Sequence, residues 1–188
     1  MIFNFGGNSG GNKSNMYFDQ DDGGIYVIKK DGTPHLFAYA GVNAFDINDL
    51  TLISPDDWEL ECTGGAVATI SSNPFLLNIT SSEDNTGKVV ATSKSLSLGA
   101  FNKLTAIGAI KGYRGSGGHG FALINEKTGN ADYSYTCTKQ ASEGVDLNLS
   151  ETISLDATAT YKIQITLYGY KGWYPSYFKF DTFRLYKE

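Results

Sequence analysis

Side-by-side carboxylates are the first residues that could carry chemistry: Glu59 and Glu61 fall on one face of a strand-like run, with Asp56 and Asp57 just before it. Cleaving a glycosidic bond needs two carboxyl groups held across a cleft, one with a raised pKa. Two acids on one strand face repel each other and read as a solvated surface instead. The two histidines, His35 and His119, lie in distant segments, and neither stands in a nucleophile-elbow context such as Gly-x-Ser-x-Gly. Gly115-Ser116-Gly117-Gly118-His119-Gly120 has Gly-x-Gly-x-x-Gly spacing. A dinucleotide fingerprint must follow a strand and open a helix, whereas this run precedes the strand-like FALIN, so it reads as a loop between strands. Asp19, Asp21 and Asp22 sit like the opening of a calcium loop, yet the twelfth position, which needs a bidentate Glu, is Lys30. The chain is therefore expected to be no enzyme, to hold no metal and to use no cofactor.

The constellation with the character of a site is aromatic. Tyr168, Tyr170, Trp173, Tyr174 and Tyr177 fall within ten residues, and Tyr113 with Arg114 occupies another Gly-rich loop. Rings exposed on loops stack on the apolar faces of sugars or anchor a protein partner, giving contact area at little rotamer cost. The same rings can instead close the open end of a β-sandwich as core. Tyr113, Arg114, Tyr168, Tyr170, Trp173 and Tyr174 are the candidate ligand-binding residues. Cys62 and Cys137 are too few for a disulfide framework or a zinc site and read as small, buried core residues; a bridge between them stays open.

The elements that would position these residues are strands. From about residue 50, runs begin near Trp58, Gly65, Phe75, Lys88, Lys103, Gly120, Ala131, Val145, Thr160 and Tyr177, separated by short turn-rich breaks. Many strands at this spacing without helical periods predict an all-β fold, a two-layer antiparallel β-sandwich over residues 50–188. Alternation is strictest in TYKIQITLY: Tyr161, Ile163, Ile165 and Leu167 take the core face, and Lys162, Gln164 and Thr166 the other. In YFKFDTFRLY the apolar phase shifts between Phe180 and Phe183, which requires a bulge at Asp181 or Thr182. Ser54-Pro55-Asp56-Asp57 is at most one helical turn.

Ahead of the sandwich, Ile25–Lys29 and His35–Tyr39 flank Asp31-Gly32, a hairpin signal, so residues 25–49 read as a β-hairpin and linker. Residues 1–24 hold six glycines and four asparagines and read as a flexible docking arm, anchored to a neighbour through Ile2, Phe3 and Phe5. The start lacks the basic region and apolar run of a secretory signal, so export by that route is not expected. In 188 residues, no stretch reaches the roughly 18 consecutive apolar residues of a membrane helix. The net charge of −5, with no basic cluster, argues against nucleic acid as a partner.

The succession Lys88–Thr92, SLSL, NKLTAIGAI, GFALIN, TYKIQITLY and FDTFRLY resembles the jelly-roll of carbohydrate-binding modules and similar concanavalin-like domains. The opening MIFNFGGNSGGN resembles the Gly/Asn-rich beginnings of phage and prophage tail, baseplate and capsid-accessory proteins. Together these resemblances imply a jelly-roll-like virion structural protein, made in the bacterial cytoplasm and located in the particle. Its partners would be other virion proteins, copies of itself and a host-surface glycan. The alternative they imply is a lectin-like module that recognises a glycan through its loop aromatics.

Overall fold

The computed structural model describes residues 15–18, 24–28, 34–39, 44–85, 87–112, 118–137, 141–172 and 175–187. The chain divides into two units, Met1–Asn43 and Ala44–Glu188. In the first, β1 (Asn15–Phe18), β2 (Gly24–Ile28) and β3 (Pro34–Tyr39) form an antiparallel sheet in that order. β2 and β3 make the expected hairpin, with Ile28 opposite Pro34 across the Asp31-Gly32 connection. β1 is a strand within the segment that composition reads as an arm; a run of four paired residues, flanked by Gly- and Asn-rich sequence, is too short to show a period.

The second unit is built by alternation. Along β13 (Tyr161–Tyr168), Tyr161, Ile163, Ile165 and Leu167 are fully buried while Lys162, Gln164, Thr166 and Tyr168 are half-exposed on the other face. The remaining elements are β4 (Ala44–Asp46), a 3-10 turn at Pro55–Asp57, β5 (Trp58–Thr63), β6 (Val67–Ser71), β7 (Phe75–Ser81), β8 (Lys88–Ser93), β9 (Lys103–Gly112), β10 (His119–Asn125), β11 (Ala131–Cys137), β12 (Ala141–Thr152) and β14 (Ser176–Tyr186). They pair as a five-stranded sheet, β11-β10-β13-β8-β5, and a second sheet, β12-β9-β14-β7-β6, in which β4 also pairs with β14. All these pairings are antiparallel, and the chain crosses repeatedly between the two layers. This is the β-sandwich that the strand spacing predicts. β4 and the buried Phe45 and Ile47 extend it upstream of residue 50, because a three-residue strand leaves no legible period.

Between the layers, Phe121 of β10 meets Phe178, Phe180 and Phe183 of β14 edge-on at centroid distances of 6.3, 5.6 and 5.3 Å. All three β14 rings can face inward because the register with β9 shifts between Phe180 and Thr182, leaving Asp181 as the extra residue. Asn48 supports this bulge: its Nδ2 donates to the Asp181 carbonyl at 3.2 Å, while its Oδ1 accepts the Phe75 N–H at 2.6 Å. Opposite Phe180 lies Gly108, where an added Cβ would stand 1.9 Å from the Lys179 carbonyl oxygen. Cys137 is buried as the sequence predicts, but Cys62 is exposed, a correction that follows from its place on the edge strand β5; no disulfide joins the two.

Gly108→Ala therefore forces backbone apart at the bulge and should cost about 1–3 kcal/mol or more in urea unfolding. Gly129→Ala, at a φ of 73° with open space around the site, isolates the backbone penalty alone and should cost about 1 kcal/mol. Equal effects of the two substitutions would contradict the packing described at the bulge.

Candidate functional site

Burying one face of the five-stranded sheet presents the other to solvent, and the strand registers determine which side chains become neighbours there. One row across the sheet reads Thr136, Gly120, Thr166, Val90 and Glu61; the next reads Ser134, Ala122, Gln164, Thr92 and Glu59. At one end, Tyr168 pairs with Lys88, which in turn pairs with Thr63. The middle of each row is small. Gly120 must be glycine because a Cβ there would lie 2.2 Å from the Tyr135 carbonyl oxygen, and Ala122 contributes only a methyl.

The result is a shallow trough of about 200 Å³ floored by Gly120 and Ala122 and edged by Lys88, Ser134, Thr136, Gln164, Thr166 and Tyr168. Its polar side chains are hydroxyls and an amide, able to donate and to accept. Among the described residues Lys88 is its one charged side chain, with Nζ 5.8 Å from the centroid of the Tyr168 ring. Among the described residues no carboxylate lines it. Glu59 and Glu61 stand beyond it on the exposed edge strand β5, side by side rather than across a cleft. Asp57 is held in a turn, accepting the Ser54 N–H at 2.7 Å and pairing with Lys94 at 3.2 Å.

Of the residues singled out in the sequence, Tyr168 lines the trough and Tyr170 is half-buried outside it. Tyr113, Arg114, Trp173 and Tyr174 lie outside the described residues, as do Asp19, Asp21 and Asp22 and the anchors Ile2, Phe3 and Phe5. Sequence reasoning overlooked Lys88, Ser134 and Thr136, and read Gln164 and Thr166 only as a solvent face. The missing signal is long-range pairing: single strands look solvated, and only their registers assemble one polar surface. Among the described residues, no group of three or more His, Cys, Asp or Glu side chains could hold a metal ion, and no helix is long and apolar enough to cross a membrane.

Beneath the Tyr168 end sits His119, fully buried as the first residue of β10. The sequence reads the run Gly115–Gly120 as a loop before a strand; His119 and Gly120 are already part of that strand, and Gly115, Ser116 and Gly117 lie outside the described residues. The His119 Nδ1 accepts the Tyr168 backbone N–H at 3.2 Å, and the two rings meet edge-on at 5.9 Å. Accepting at Nδ1 puts the proton of the neutral ring on Nε2. Burial pushes the His119 pKa down to about 4, with the Gly112 backbone opposing that shift. His119 thus holds the Tyr168 backbone in place only while it is uncharged.

No protein-family model matches this chain, and no curated protein does. Similar solved structures include TmCBM61 in complex with β-1,4-galactotriose, at 14% identity and a TM-score of 0.45, covering 75% of this chain and 96% of that one. A family 11 carbohydrate-binding module from Clostridium thermocellum, in complex with a β-1,3-1,4-mixed-linked tetrasaccharide, is similar at 16% identity and a TM-score of 0.39, covering 70% and 89%. The K3 cleaved adhesin domain of Lys-gingipain from Porphyromonas gingivalis is similar at 14% identity and a TM-score of 0.42, covering 79% and 100%. Scores this low mark loose resemblance, and the sandwich is defined by its own strand pairing. Neither these structures nor the described residues support the virion expectation.

Because the folded-state pKa of His119 lies below its unfolded value of 6.5, the unfolded chain takes up the proton first as pH falls. His119 therefore favours the folded state fully above about pH 6.5, and this contribution, on the order of 3 kcal/mol, is lost toward pH 4. Urea unfolding between pH 7.5 and 4.5 should show that slope, and His119→Phe should flatten it. An unchanged slope in the variant would contradict the assignment.

Proposed function

We propose that the sandwich is a non-catalytic module that binds glycan along the outer face of its five-stranded sheet. The observation that carries this reading is the trough: a small-residue floor, neutral hydrogen-bonding walls, the outward Tyr168 ring at the end and, among the described residues, no carboxylate. A sugar offers hydroxyls that each need a partner once desolvated, and apolar C–H faces that pack on an aromatic ring. Gln164, Thr166, Ser134 and Thr136 supply the partners and Tyr168 the ring. Gly120 and Ala122 leave room for the chain to lie close to the sheet. These side chains stand on paired strands rather than on loops, so little ordering cost is added when a ligand arrives. At about 200 Å³ the trough is smaller than the roughly 300 Å³ at which small-molecule pockets begin, and its open form suits a polymer passing across it.

Affinity electrophoresis of the full chain in gels containing β-glucan, β-galactan, β-mannan, alginate or polygalacturonate tests the proposal. At least one polysaccharide should retard the protein. Ala122→Trp, which fills the floor from the solvent side, should weaken that retardation at least about tenfold with an unchanged circular dichroism spectrum, since a ring in the trough costs the ligand most of its contacts. No retardation by any of them, or retardation that Ala122→Trp leaves intact, would overturn the reading.

A further inference from the structure

We infer that the trough selects an acidic sugar, with Lys88 receiving its anionic group beside the Tyr168 ring; this rests on the glycan reading above. Among the described residues, Lys88 carries the only charge that lines the trough. Its cross-strand neighbours, Thr63 on β5 and Tyr168 on β13, are neutral. Among the described residues no carboxylate lies within ion-pair distance of it, whereas Lys94, Lys127, Lys162 and Lys179 all have acidic partners. The contrast with Lys162 is informative. That residue stands on the same outer face, at the far end of β13, and its charge is met by Glu126 at 3.7 Å. The sheet thus neutralises one of its two outward lysines from within and leaves the other, at the trough, for an external anion.

The surroundings also limit how much anion is tolerated. Glu59 and Glu61 project from the same face one strand beyond β8, opposite Thr92 and Val90. A like charge laid across that rim is repelled, so the acidic group belongs at the Lys88–Tyr168 end, with neutral hydroxyls toward Gln164 and Ser134. The overall charge of −5 makes a bare cation in a binding surface the more distinctive, since the rest of the molecule repels anions. An ammonium paired with a carboxylate or sulfate forms a charge-assisted hydrogen bond, stronger than a hydroxyl contact and weakened by salt.

The test uses ligands that differ only at C6: cellotetraose, its fully C6-oxidised β-1,4-glucuronate counterpart, and cellotetraose 6-sulfated on one ring, each titrated calorimetrically into the full chain. At least one acidic form should bind about tenfold or more tightly than cellotetraose at low ionic strength, with the gap shrinking as salt is raised toward 0.5 M. Lys88→Met should remove the gap and Lys88→Arg restore it, and whichever acid binds better identifies the group. If cellotetraose binds as tightly as both acids, or the preference survives Lys88→Met, the acidic-sugar inference falls and the glycan reading stands. If none of the three binds and no polysaccharide retards the protein, the glycan reading falls and takes this inference with it.

Discussion

Phe121 pressed edge-on against Phe178, Phe180 and Phe183 is the contact on which the rest of the sandwich depends. It joins β10, an interior strand of one sheet, to the strand at the middle of the other, and edge-to-face pairs of this kind add about 0.5–1.5 kcal/mol each beyond the area they bury. The arrangement requires β14 to present three phenylalanines to one side, which a strict two-residue period forbids. The bulge at Asp181 resolves that conflict. Gly108 makes room for it, and Asn48 takes up one of the carbonyls it leaves out of the ladder.

Once this interior is set, the outer face has no freedom left. With Ile163, Ile165 and Leu167 inward, Gln164, Thr166 and Tyr168 must point outward, and a slip of one residue would bury them and expose the core. The same holds for β10, where inward Phe121 and Leu123 dictate that the small residues Gly120 and Ala122 form the floor. Site and core are thus two sides of one register. His119 links them more directly, since it is buried with the core yet accepts the backbone N–H of the residue whose ring ends the trough. Keeping it neutral is a condition of the fold and of the face together.

How much of this was legible in the sequence depended on range. The ten sandwich strands, the core face of TYKIQITLY and the bulge near Asp181 are local patterns and could be read from periodicity. β1 and β4, of four and three residues, were too short for any period to show. The exposure of Cys62 depended on which strand would end up at an edge, which no local pattern encodes. Tyr168 was singled out as one of a loop cluster, yet it works as the last residue of a strand, facing Lys88 across a pairing that spans eighty residues of sequence. Gln164 and Thr166 gave the right face but not its meaning, because Ser134 and Thr136 come from β11 and Lys88 from β8.

The central claim, that ligand is held by the outer face of the five-stranded sheet, is tested most directly by amide shift mapping. The 15N-labelled full chain would be titrated with cellotetraose and, separately, with its C6-oxidised counterpart. The account predicts that shifts concentrate at Lys88, Ala122, Ser134, Gln164, Thr166 and Tyr168. Shifts centred instead on the outer face of the other sheet, around Ile107 and Thr182, or saturating sugar that leaves the trough amides unmoved, would contradict it.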